Sequence, residues 1–196
     1  MLSYELVVIG ASAGGMDALK KIISQLDEEF NLPVIVVQHV APHSDNYLVT
    51  YLDSFTSLHV VEASEKQRVT PGFVYFAPPN YHLLLEENKT FTLTVENKVN
   101  FSRPSIDVLF ETAAIACREK LIGVLLTGAS NDGADGIRFI HSAQGLTIVQ
   151  DPETAYVPIM PKAAIDTSPV DHILPLEEIA PFLNTISRAS LKKNSG

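Results

Sequence analysis

A chain of 196 residues that is 46% hydrophobic and 19% charged is globular in composition, and its length predicts one domain over 1–196 able to bury roughly 70% of its unfolded surface. A formal net charge of -9 excludes a nonspecific nucleic-acid binder, because there is no basic field to displace counterions from phosphates. Cys117 is the single cysteine and rules out an intramolecular disulfide, while the lack of a basic leader or of a long uncharged run predicts a cytoplasmic protein without membrane insertion.

Leu6-Val7-Val8-Ile9 reads as a buried strand that stops at Gly10-Ala11-Ser12-Ala13-Gly14-Gly15. The small residues strip bulk from around the Ser12 hydroxyl and permit backbone angles that larger ones resist. Met16, Leu19, Ile22, Ile23 and Leu26 then recur at helical spacing, predicting a helix over 16–26 whose positive end faces the turn. A second strand over 32–39 is β-branched and apolar on both faces, as in parallel sheets covered by helices. A helix over 45–55 and a short strand over 58–61 follow. Residues 69–100, with Phe73-Val74-Tyr75-Phe76, His82 to Leu85 and alternating Phe91, Leu93 and Val95, read as a hairpin-like excursion. Ser105 is placed to cap a helix through 118. A buried strand over 121–126, a helix over 134–143, a strand over 146–149, a short helix after Pro161, a strand over 172–174 and a helix over 176–190 complete the chain, with 191–196 as a frayed tail. The alternation predicts an α/β fold: a doubly wound, mainly parallel sheet with helices on both faces.

In such sheets ligands gather at the carboxyl ends of the strands. Three polar loops leave that edge, carrying Ser12, Gln38-His39 and Asn131-Asp132. An imidazole is the usual base for a serine hydroxyl, which makes His39 a candidate partner of Ser12. Asp132 could accept the other ring N–H and fix the tautomer, and Asp135 competes with it; the turn residues do not choose between them. His39 and His43 are kept off a regular helical metal face by Pro42, and no thiolate or carboxylate cluster completes a metal site. A dinucleotide fingerprint is excluded because Ser12 stands where its middle glycine belongs, and no phosphate-loop sequence occurs. Gly10-Ala11-Ser12-Ala13-Gly14 satisfies G-x-S-x-G, yet only eleven residues precede Ser12, unlike the α/β-hydrolase order.

Several segments in one order resemble the catalytic domain of the chemotaxis receptor methylesterases, the CheB family. They are Ile9 to Gly15, Gln38-His39, Pro71-Gly72, Ala77-Pro78-Pro79, Arg103 to Phe110, Gly123 to Gly128, Asn131 to Ala134, and Met160-Pro161 with Ala164-Ile165. The resemblance implies a cofactor-independent serine hydrolase that removes methyl esters from receptor glutamates and in some members deamidates receptor glutamine. It implies Ser12 as nucleophile, His39 as general base and acid, Asp132 rather than Asp135 as the orienting acid, and the backbone N–H of Ala129 as an oxyanion donor. Its implied partners are methylated chemoreceptor-like proteins and a receiver or other signalling domain, a receiver domain being what normally precedes the catalytic domain in the family. Ala129-Ser130 stands where the family usually has Met-Gly, Ser102 where many members have histidine, and Ile159 where they have glycine. Ser130 is strained if that glycine's place demands a positive φ. The alternative reading on the same fold is a noncatalytic signalling or docking module.

Overall fold

The computed structural model describes residues 3–41 and 47–194. In chain order these form β1 (Leu6–Ala11), α1 (Gly15–Ile23), β2 (Val34–Gln38), α2 (Tyr47–Asp53), β3 (His59–Glu62), β4 (Phe73–Phe76), β5 (His82–Leu85), β6 (Phe91–Thr94) and α3 (Ile106–Cys117). They continue as β7 (Leu121–Leu125), α4 (Ala134–Ser142), β8 (Leu146–Gln150), α5 (Ile159–Thr167), β9 (His172–Leu174) and α6 (Leu176–Asn194). Seven strands make one sheet in the order β3-β4-β2-β1-β7-β8-β9, and every pairing within it is parallel. The α/β doubly wound fold expected from the sequence is the fold observed.

Alternate residues of each inner strand point to opposite faces and fill two cores. Leu6, Val8, Ile35, Val37 and Tyr75 pack with α3, α4, α5 and the β5–β6 hairpin, whereas Val7, Ile9, Val34, Val36 and Val74 pack with α1, α2 and α6. β1 is buried along its whole length between β2 and β7, with Ile9 in register with Val36 and Val124. From β1 the chain goes out to β2, β3 and β4 on one side and then returns to start β7 on the other. The switch in strand order therefore lies at the carboxyl ends of β1 and β7, where a crevice opens.

Several boundaries differ from expectation. Phe73–Phe76 is not part of the hairpin but a strand of the main sheet between β2 and β3, since Tyr75 faces one core while Val74 and Phe76 face the other. β6 stops at Thr94 and leaves Val95 63% exposed. α1 ends three residues early, because Gln25 and Leu26 donate to the carbonyls three residues back and tighten the chain into a turn. α5 starts before Pro161, which its first turn tolerates for want of an intrahelical partner there. α6 runs on to Asn194, so of the expected tail only 195 and 196 lie outside the described residues. Residues 45 and 46 of the second predicted helix also lie outside them.

Candidate active site

Ser12 is the first residue beyond β1, and the backbone there is fixed from three sides. Its N–H donates to the Thr127 carbonyl at 3.0 Å, and its own carbonyl accepts from Gly15 N at 2.8 Å and from Gln38 Nε2 at 2.9 Å. Gly14 closes the turn with φ 77°, and a Cβ there would stand 2.6 Å from Tyr156 Cβ. Glycine is thus required twice, by conformation and by contact. On the β7 side a Cβ at Gly128 would lie 3.0 Å from Ser12 Cβ, so that glycine lets the next loop come close to the serine.

His39 leaves the end of β2 with its N–H on the Ala11 carbonyl at 3.0 Å. The Gln38 amide donates to both Ser12 O and His39 O, each at 2.9 Å, which ties the two loops together. The imidazole is largely buried and its Nε2 lies 2.8 Å from Asp132 Oδ2.

Asp132 is fully buried at the start of α3, where free N–H groups and the helix dipole favour an anion. Oδ2 also accepts from Ile106 N at 2.7 Å, and Oδ1 accepts from Ser105 Oγ at 2.7 Å, Asp107 N at 3.2 Å and Asn100 Nδ2 at 3.3 Å. Burial opposes its charge, but the hydrogen bonds from His39, Ile106 and Ser105 outweigh it and hold the carboxyl below its ordinary range. Ser105 stands at the N-cap of α3 as expected, but its hydroxyl donates to Asp132 rather than capping the helix itself.

Asp107, in the first turn of α3, returns the contact. Its Oδ1 accepts from Gly133 N at 2.9 Å and Gly136 N at 2.7 Å at the start of α4, and its Oδ2 accepts from Asn100 Nδ2 at 2.6 Å. Burial, then the nearby Asp132 charge, push the Asp107 carboxyl up to about 7. The start of α3 thus rests on Asp132 from the loop ahead of α4, and the start of α4 on Asp107 from α3. Asp135 is exposed and pairs with Arg138 at 2.9 Å, away from His39.

The structure brings His39 and Asp132 into contact but leaves Ser12 Oγ without a hydrogen bond to any described residue. With Nε2 on Asp132, the nitrogen left for other partners is Nδ1, which faces Ser102 Oγ at 3.4 Å. Ala129 is exposed and its N–H makes no hydrogen bond among the described residues. Ser130 is not among the residues with positive φ, which removes the expected strain; its hydroxyl accepts from Asp132 N at 3.3 Å. Ile159 is half-exposed and lines a groove of about 650 Å³ with Asn100, Asn131 and Lys162.

Among the described residues no three His, Cys, Asp or Glu side chains are grouped to hold a metal ion, and His43 lies outside them. Cys117 is buried 3.0 Å from Lys89 Nζ beside a separate cavity of about 300 Å³ at the amino edge of the sheet. Burial raises its thiol to about 11. No helix among the described residues is long and apolar enough to cross a membrane. The sequence named Gln38 with His39 at the end of the second strand, and Asp107 within the Arg103 to Phe110 segment, without giving either a role, and it did not single out Asn100.

The sequence matches the family model described as CheB methylesterase over residues 7–183. A relative from Leptospira interrogans is 46% identical over 192 residues, covering 98% of this chain and 100% of the relative. The protein-glutamate methylesterase/protein-glutamine glutaminase of Thermotoga maritima is 39% identical over 181 residues, or 91% of this chain and 53% of that protein. The crystal structure of the Thermotoga maritima CheB methylesterase catalytic domain superposes with a TM-score of 0.90 at 38% identity, over 94% of this chain and 100% of that one. Fold and sequence likeness agree: the chain belongs to the CheB methylesterase family.

Proposed function

We propose that the chain is a cytoplasmic serine hydrolase that demethylates glutamate methyl esters on chemoreceptor-like proteins and deamidates receptor glutamine by the same route. The observation that carries the reading is the imidazole of His39, held by a fully buried carboxylate beside the turn that presents Ser12. Ser12 Oγ attacks the ester carbonyl carbon while His39 Nδ1 takes its proton. Asp132 fixes the tautomer through Nε2 and stabilises the imidazolium. The carbonyl oxygen becomes an oxyanion and is met by the Ala129 N–H, a kind of donor whose loss typically costs ~100 to 1000-fold. As the intermediate collapses, the methoxy group leaves with the proton from His39 as methanol. Water, deprotonated by His39, then attacks the acyl group, frees the glutamate carboxylate and restores Ser12. In this scheme the Ser12–His39 hydrogen bond forms when substrate displaces Ser102 from Nδ1, as catalytic hydrogen bonds often tighten only in the complex.

Regulation in this reading comes from a receiver or other signalling domain that blocks or opens the crevice. Methanol release from methylated receptor membranes tests the activity. The wild type should release it, and Ser12→Ala and His39→Ala should each lower the rate by at least about 1000-fold. Equal release by the wild type and Ser12→Ala would remove the mechanism. Stable receptor binding without any release would favour the noncatalytic docking module.

A further inference from the structure

Beside His39 the chain makes a two-residue hairpin of unusual composition. Val99 and Ser102 pair across it, with Ser102 N on Val99 O at 2.8 Å and Val99 N on Ser102 O at 3.2 Å. Its two tip residues, Asn100 at φ 49° and Phe101 at φ 64°, are both left-handed. A tight turn with two such residues ordinarily carries Asn-Gly, because a bulky side chain resists that conformation. Asn100 meets the preference; Phe101 stands in glycine's place. Its ring is 96% exposed, so no buried contact within the chain offsets the strain.

The tip is nevertheless held firmly. Asn100 Nδ2 anchors it to Asp107 Oδ2 and Asp132 Oδ1. From the other side Arg103 donates to Val95 O at 2.6 Å, to Glu96 O at 2.9 Å and to Asn80 Oδ1 at 2.8 Å, bracing the approach to the turn. Phe101 and His39 line one depression of about 100 Å³, together with Val40, Lys98 and Ser102. A strained, fully exposed aromatic on a braced turn next to the imidazole has the properties of a binding anchor: large apolar area with little conformational freedom left to lose.

We infer that Phe101 is a specificity-determining residue, whose ring takes an apolar side chain of the polypeptide that carries the glutamate ester. The inference rests on the esterase reading and narrows its substrate class. The preferred substrate presents an apolar residue next to the modified glutamate, as an amphipathic helix does one turn away. Free methylated glutamate and small esters lack that handle and do not use Phe101.

The test compares the wild type with Phe101→Gly, a substitution that also relieves the turn. The variant should melt at the same or a higher temperature and hydrolyse p-nitrophenyl acetate at the wild-type rate. Its kcat/KM on methylated receptor membranes should fall about tenfold, mainly through KM, and Phe101→Tyr should restore it. Unchanged kcat/KM on receptor, or equal loss on both substrates, would overturn the role. Co-sedimentation with the same membranes decides it without turnover. In a Ser12→Ala background Phe101→Gly should weaken binding about tenfold, and equal binding, or none by either protein, would overturn it. A wild type that binds but releases no methanol would count against the esterase reading alone.

Discussion

Asp107 and Asp132 lie at neighbouring helix starts, and their environments drive them apart. Asp132 collects five donors, including the His39 ring, and stays ionised below the usual carboxylate range. Asp107 is raised from 3.8 to about 7 by burial and then by the charge of Asp132. Between those two values the folded chain keeps a proton that the unfolded chain has released, so stability falls as pH rises from about 4 to about 7 and levels off above. Asp132 has the opposite sign: its contribution is present above the ordinary carboxylate value and is lost as pH falls through its lowered one. Urea unfolding followed from pH 4 to 8 should show the decline in the wild type and a flatter profile in Asp107→Asn; parallel profiles would contradict the assignment. The sequence offered Asp132 as the partner of His39, but neither its contacts with the start of α3 nor the partners of Asp107 were legible there. Asp132 could be told from Asp135 only through the family resemblance, because the choice depends on how α3 and α4 pack. Asp107 looks in sequence like an ordinary first-turn acid, yet it serves the next helix.

At the scale of elements, the turn between β1 and α1 joins conformation to function. Gly14 has a left-handed backbone and carries the flank of Tyr156, whose neighbour Val157 accepts from Gly128 N at 3.0 Å. Gly14→Ala should therefore cost roughly 1–3 kcal/mol and displace the Tyr156 segment from the Ser12 loop. Chemical unfolding measures the first effect and ester hydrolysis the second; a variant with unaltered stability would show that the turn has slack. The strands of this sheet were readable because β-branched runs apolar on both faces fit little else. β4 was assigned to the hairpin for a physical reason. Its four residues are flanked by turn-forming prolines, and four residues cannot reveal which of two sheets will pair with them. The ends of α1, α5 and α6 moved for local reasons, through tightened turns and a proline accepted in a first turn, that a periodicity pattern does not contain.

At the scale of the molecule, the strand order is what makes three distant loops meet. Ser12 follows β1, His39 follows β2 and Asp132 follows β7, and these three strands are neighbours in the centre of the sheet. Phe110 secures the arrangement from below, fully buried against Gly136 where α3 crosses α4. Phe110→Ala should lower stability by about 3–5 kcal/mol, read from the urea midpoint, and lower ester hydrolysis as the Asp107–Asp132 exchange loosens. A loss below about 1 kcal/mol would show that the helix pair holds without it. The convergence of the loops was foreseeable from the alternation of strands and helices. The nitrogen that faces Asp132, and the absence of a resting Ser12–His39 hydrogen bond, depend on ångström-scale placement that residue order does not encode.

The central claim is that this architecture makes Ser12 a nucleophile with His39 as its base. Labelling by a fluorophosphonate, read by intact mass and peptide mapping, tests it most directly. The account predicts one label per chain, on Ser12, with the labelling rate reduced about 1000-fold or more in His39→Ala and strongly reduced in Asp132→Asn. No label on Ser12, or labelling at the same rate in wild type and His39→Ala, would contradict it.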